Sequence, residues 1–444
     1  MAAKAFAAAA VGAVALLAAG SAQTRPQVSA GPLGVTGDGT TNYLVRLNAK
    51  NLRPLPGQRL ELGPWGGDWA YSPDKATLAV ELQSVTTDPS TEPTSSFRFV
   101  SVASLAPSGD LSLGSGYTYG AFWPAPDRLI AIVGHCCRLP AEVVVVDPLA
   151  MRVLDRSRLA EGNPLWVRRG GDRLVVMSVP AARIGPVALT AIDARGAART
   201  LTLDRIDGGF EPMGAESQLG YKSVAPGLAV KPDGSRAFVV SPNGLVADVD
   251  LQSLSVAYHS LGIGRTVAAV NKRPVESVSR MARVLPNGFL AVTGWEDHPY
   301  TDSGGGEHTQ YIRAGLALVD TSTWATTIVD DSTDWFAIAG NTLLATGSRG
   351  HTPGYTTTVG ATPAPMPPGA GLTGYSLGGT PRFHRFKDGE VLPLQIYGNR
   401  AFVYVDGSEP DLLKVVDIRS GKIVGTRAET TLPWILQGAS SVSR

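Results

Sequence analysis

Cysteine is nearly absent from this 444-residue chain. There are two, Cys136 and Cys137, side by side in the stretch GHCCRLP. No network of long-range disulfides can hold such a fold, so an apolar core must. Net charge is also missing: 39 basic and 38 acidic side chains leave a formal charge of +1. That balance argues against nucleic acid or an anionic membrane as a general partner. Long hydrophobic runs are limited to one, from Ala5 to Ala19, preceded by Lys4 and followed by Gly20, Ser21 and Ala22. It falls short of the roughly 20 residues a spanning helix needs. Residues 1–22 therefore read as a secretory signal peptide cleaved after Ala22. The mature chain is expected to lack a transmembrane segment and to be secreted or held in the periplasm or cell envelope. Catalytic signatures are scarce as well. No nucleophile elbow of the GxSxG type is expected, and there is no P-loop and no GxGxxG between a strand and a helix. No HExxH, DxDxDG or CxxC spacing marks a metal site.

Glycine and proline are plentiful, 51 and 32, and they punctuate a repeat. A short apolar strand, a polar turn and a second apolar strand recur at 68–80, 121–133, 165–177, 227–240, 281–293, 335–346 and 394–405. Turns such as SPDK, PDG, PNG and GN suit tight hairpins, because Gly and Asn tolerate positive φ and Pro presets the bend. A second unit, an apolar strand ending near Asp and then a weaker strand, follows at 142–155, 188–203, 244–261, 315–329 and 412–426. Degenerate copies lie at 97–113 and 372–386. Helical periodicity is not sustained anywhere. Four strands every 40–60 residues predict an all-β β-propeller of seven four-stranded blades, with eight as the alternative. Residues 42–62 and 431–436 look like surplus strands that meet and close the ring, which removes open sheet edges. Residues 23–41 read as a flexible leader, and 42–444 as one propeller domain.

The segments VKPDGSRAFVV (230–240) and VVDIRSGKIVGTRAETTLPWIL (415–436) resemble the YVTN-type, quinoprotein-like propeller repeat, a distant cousin of WD-repeat proteins. The resemblance covers nearly the whole mature chain and implies the fold. It implies less about function, since such propellers serve as binding proteins, as lactonases or glycan-active hydrolases, and as quinone-dependent dehydrogenases. Some of the quinone enzymes carry an adjacent-cysteine disulfide beside the cofactor. Their Trp-docking repeat is lacking here, so a quinone is not expected.

In a propeller the loops between second and third strands share a face with the blade-to-blade connectors. The long ones here are 81–96, 134–142, 294–314 and 347–371, with connectors 204–226 and 262–280. Long loops on one face of a rigid scaffold are where binding usually sits. That face collects His135, Cys136, Cys137, Trp295, Glu296, Asp297, His298, His308 and His351, with Trp65, Tyr117 and Tyr119 in connectors. The imidazoles and carboxylates could hold a divalent metal, or could be a solvated polar loop. Trp69, Trp123, Trp166, Trp335 and Trp434 recur in first strands; packing between blades is the preferred reading, an aromatic mouth the alternative. Neighbouring Cα atoms are about 3.8 Å apart, below the usual disulfide range of at least ~4.4 Å. A Cys136–Cys137 bond would therefore be a local stiffener, not a staple. The leading expectation is a monomeric exported propeller that binds a small molecule, glycan or envelope protein through this face without turnover. An enzyme with its site on the same face and a structural or assembly role in the cell envelope are the alternatives.

Overall fold

The computed structural model describes residues 31–37, 41–84, 92–135, 140–160, 162–180, 183–212, 221–263, 277–301, 307–348, 368–406, 412–427 and 433–436. These residues form strands and turns and contain no helix, hence no helix long and apolar enough to cross a membrane. The fold is a β-propeller. Six four-stranded sheets stand apart, and a ten-stranded sheet contains two more four-stranded meanders.

Blade 1 joins the two ends of the chain. Trp434–Ile435 lies innermost, followed outward by Leu33–Gly37, Asn42–Arg46 and Leu60–Gly63. Blade 2 is Trp65–Tyr71, Thr77–Gln83, Thr94–Ser101 and Pro107–Ser115. Blade 3 is Tyr117–Ala125, Arg128–Gly134, Glu142–Asp147 and Arg152–Arg158. Blade 4 is Asn163–Gly170, Arg173–Val179, Ile184–Ile192 and Ala198–Pro212. Blade 5 is Gly227–Val230, Arg236–Val240, Leu245–Asp250 and Val256–Ser260. Blade 6 is Ser277–Val284, Leu290–Thr301, Leu316–Val319 and Thr326–Asp330. Blade 7 is Trp335–Ala339, Thr342–Thr346, Leu372–Ser376 and Pro381–Arg385. Blade 8 is Glu390–Tyr397, Arg400–Asp406, Leu412–Asp417 and Ile423–Arg427.

The seven repeats read from the sequence are thus all present, and the ring holds one unit more than the seven blades preferred, the number kept as the alternative. The reason is local. Leu33–Gly37, inside the 23–41 stretch read as a flexible leader, is a strand paired with both Asn42–Arg46 and Trp434–Ile435. The terminal strands therefore build a blade of their own. Eight apolar clusters fill the eight interfaces, the last joining Val45 and Leu47 of blade 1 to Phe402, Leu413 and Val415 of blade 8.

Burial follows from this stacking. A second strand such as Arg128–Gly134 is covered on both sheet faces and is apolar almost throughout, whereas the outer Arg152–Arg158 is largely exposed and charged. The aspartates that end the third strands have a defined task. Asp147, Asp250, Asp320 and Asp417 each accept a backbone N–H two or three residues on, holding the following turn. Four residues after each of them the backbone turns left-handed, at Met151, Leu254, Trp324 and Gly421. The first three point an apolar side chain at an interface cluster. At the fourth place Phe383 already fills the space, and a Cβ on Gly421 would collide with its ring.

Two strands lie outside the blades. Tyr221–Ala225 pairs antiparallel with the end of the long outer strand of blade 4 and runs parallel to the start of the inner strand of blade 6, which merges those blades into one sheet. Glu307–Arg313 pairs with the extended second strand of blade 6. Much of what reads as loop at 204–226 and 294–314 is therefore ladder. On the opposite face the turns are short, except for residues 47–59 of blade 1, which fold back through a Leu47–Pro54 bridge.

Candidate functional site

The long-loop face carries two groups of the expected residues, on different blades. The first lies around blades 1 to 3. Trp65 opens the inner strand of blade 2 and contacts Trp69 (ring centroids 6.5 Å) and Trp434 (6.2 Å, planes 64° apart). Trp434 is 42 % exposed. The Tyr71 hydroxyl, pushed up to about 12 by burial, donates to Leu436 O at 3.1 Å. Tyr117 and Tyr119 start the inner strand of blade 3, half-buried. Tyr119 lies over Gly134, where any side chain would collide with its ring, so this phenol packs the strand end that leads into His135. His135 Nδ1 is 2.6 Å from Glu92 Oε2. Cys136 and Cys137 lie outside the described residues.

Beneath this group is a carboxyl that the sequence reading overlooked. Glu81 is fully buried in the second strand of blade 2. Its Oε2 accepts from Asp68 N at 3.2 Å and its Oε1 from Thr118 N at 3.0 Å. Burial pushes Glu81 up, against the pull of these bonds. The Ser95 hydroxyl lies 2.7 Å from Gly116 O and 3.1 Å from Glu81 Oε1. Only one hydrogen is available there and a carbonyl can only accept, so the second contact is satisfied when Glu81 itself carries a proton. Gly66 is required above it, because a Cβ would collide with the Glu81 carboxyl. Glu81 thus ties the starts of the first strands of blades 2 and 3 to one point. An acid within the apolar run TLAVELQ was the available signal.

The second group is on blades 6 and 7. The ribbon formed by Leu290–Thr301 and Glu307–Arg313 runs past the rest of its blade. On it Trp295 and Tyr311 stack, centroids 5.8 Å apart and 23° from parallel. The Tyr311 hydroxyl donates to Asp334 Oδ2 at 2.8 Å, and the same oxygen accepts from Ser348 N (2.9 Å) and Oγ (2.5 Å). Burial, then the Asp334 charge, push the Tyr311 phenol far up, so it stays a neutral donor. Arg313 holds Ser348 O (2.8 Å from Nε) and Pro368 O (2.6 Å from Nη2). The ribbon is therefore clamped to blade 7. A similar knot lies beside it: Asp330 accepts from Ser332, Thr333 and Tyr375. Burial raises Asp330, but these bonds outweigh it and hold the carboxyl below its ordinary value.

One expected site residue on this ribbon changes meaning. Glu296 is buried in an ion pair with Arg280, which also donates to Pro242 O, so it bridges blades and is not offered to a ligand. Asp297 is half-buried and sits opposite Tyr311 in the ribbon. His298 pairs in register with Gln310 and His308 with Tyr300, while His351 lies outside the described residues. Of the recurring tryptophans, Trp69, Trp123 and Trp166 are buried in interface clusters, as inter-blade packing requires. His259 stacks on Trp324 and His384 bonds Thr373, both structural. Among the described residues no three His, Cys, Asp or Glu side chains converge on one point; His135 and Glu92 supply two donors, fewer than a protein metal site normally needs.

One GxSxG string does occur, Gly374-Tyr375-Ser376-Leu377-Gly378. It runs from a third strand into a turn in which Ser376 Oγ accepts from Thr380 N, and a fourth strand follows. A nucleophile elbow needs a helix after the serine, so this is a turn.

No family model matches the chain, and no curated protein matches it. Solved structures do. "Dihydro-heme d1 dehydrogenase NirN in complex with DHE" superposes with a TM-score of 0.53 at 10% identity, over 93% of this chain and 75% of that one. Sqt1 from Chaetomium thermophilum bound to the N-terminus of ribosomal protein L10 gives 0.46 at 14% identity, covering 84% and 89%. BamB from Moraxella catarrhalis gives 0.44 at 10% identity, covering 80% and 88%. At such identities the similarity reaches the architecture only: this chain is a β-propeller.

Proposed function

We propose that the protein is an exported β-propeller of the YVTN-like, quinoprotein-like kind that binds a small molecule, glycan or protein partner through its long-loop face, without turnover. One observation carries the reading: the Trp295–Tyr311 stack on a ribbon that outruns its blade and is locked to blade 7 through Asp334, Ser348 and Arg313. A rigid, half-buried aromatic pair suits stacking of its open edge on a sugar or an apolar peptide side chain, because its rings are already ordered and cost little further entropy. His135 and Glu92 offer a second polar contact on the same face. Export rests on the N-terminal stretch of residues 1–22 and places the partner in the envelope or outside the cell. The test is a screen of the purified protein against a glycan array and a panel of envelope proteins, repeated with Trp295→Ala. Hits should lose about tenfold or more in affinity, as for a lost aromatic hot spot. Hits indifferent both to Trp295→Ala and to shortening of the 299–309 ribbon tip would refute the assignment of the face.

A further inference from the structure

Two arginines on inner strands carry charges that nothing among the described residues answers. Arg168 lies in Asn163–Gly170 of blade 4 and Arg283 in Ser277–Val284 of blade 6. The short inner strand of blade 5 separates them, and its contacts fix their depth. Trp166 Nε1 donates to Pro226 O at 2.6 Å, and Gly170 abuts Lys231 O, so Arg168 is level with Leu228. On the other side Gly227 lies against Arg280 O and Ala282 N, each 3.0 Å from where a Cβ would stand, which brings Arg283 to about the same level. The two arginines therefore leave the backbone at about one depth of the ring, from blades either side of blade 5.

Their bonding is incomplete. Arg168 is only 6 % exposed. Its Nη1 donates to the neighbouring Val167 O at 3.0 Å, its Nε is buried with no partner among the described residues, and the group lies over the Trp166 ring at 4.6 Å. Arg283 is half-buried and, among the described residues, reaches only Ala282 O, at a long 3.5 Å. No ion pair to either is found among the described residues, whereas Arg280 on the same strand as Arg283 has Glu296. Burial, then the charge of Arg283, press Arg168 well below its ordinary value, and burial presses Arg283 down to about 10. A guanidinium does not give up its proton in a protein. Two of them, one buried and one half-buried and within each other's field, call for a counter-charge, and their planar forks match an oxyanion.

We infer that the channel binds a small oxyanion, a carboxylate or phosphate group, between Arg168 and Arg283. This site is separate from the Trp295–Tyr311 ledge and stands or falls without it. The test is titration calorimetry of the full chain with sodium phosphate and, separately, sodium malonate, each against sodium chloride at equal ionic strength. A single saturating site for one of the two is expected, and which one binds distinguishes phosphate from carboxylate. Arg168→Met and Arg283→Met should each weaken it by about tenfold or more, the size of a lost charge-assisted bond. Arg168→Lys, which keeps the charge and loses the fork, should fall between and remains informative if a methionine variant does not fold. Absence of binding by both probes to the unmodified chain, or binding unchanged in all the folded variants, would overturn the proposal.

Discussion

Glu81 shows how much one buried group decides. It is an acid inside an apolar strand, fully enclosed, with two backbone N–H groups aimed at it and a proton of its own implied by Ser95. Its folded pKa is raised, so the folded state holds a proton that the unfolded chain releases near the ordinary glutamate value of about 4.3. The contribution is therefore fully present below that pH and is lost as pH rises through the folded value. Glu81→Gln should flatten the decline in stability above about pH 4.3; a slope identical to the unmodified protein in urea titrations across pH would contradict the protonated reading. Glu81→Ala should cost more, about 1–3 kcal/mol for each N–H left unsatisfied. At the ledge, Tyr311→Phe leaves the ring stack but removes the bond to Asp334. A loss of about 1 kcal/mol in denaturant unfolding is expected. The cysteine pair is proposed to be an adjacent disulfide: intact mass should rise by two hydrogens on reduction, and an unchanged mass would refute the bond.

At the scale of elements, the turn after each third strand is where sequence and packing meet. Gly421 sits at the left-handed position that Met151, Leu254 and Trp324 occupy elsewhere, under the Phe383 ring. Gly421→Ala should destabilise by about 1–3 kcal/mol, from overpacking and an unfavourable φ; an unchanged thermal midpoint would show that the ring can move aside. The hairpins were legible in the sequence because PDG and PNG announce tight turns, and the terminal aspartates because they recur at one place in several units. The ribbon was not, since its Gly-rich tip at 303–306 looks like open loop and its ladder depends on pairing with residues across the gap. Nor was Leu33–Gly37, which is too short to stand out and is defined by partners at both ends of the chain. For the candidate site, composition pointed to the long-loop face and to Trp295, which the structure stacks on Tyr311. Composition cannot separate a ligand-facing acid from one committed to an ion pair, which is why Glu296 was misplaced and Glu81, Asp334 and Tyr311 were overlooked.

At the scale of the molecule, the ring is closed by the contact between its termini. Leu436 near one end is buried in the same cluster as Leu33 and Val35 near the other, and its N–H donates to Leu33 O. Leu436→Ala should cost about 2–5 kcal/mol, as buried leucine truncations do. The closed ring gives a stiff wall, and on that wall the long-loop face carries the clamped aromatic ledge. The central claim is that this ledge, not the short-turn face, meets the partner. The most direct measurement compares glycan-array and envelope-protein binding of the unmodified chain with that of Trp295→Ala and of Arg59→Ala, a control on the 47–59 fold-back of the other face. The account predicts that hits weaken about tenfold or more with Trp295→Ala and are unaffected by Arg59→Ala. Binding that survives Trp295→Ala intact and collapses with Arg59→Ala would contradict it.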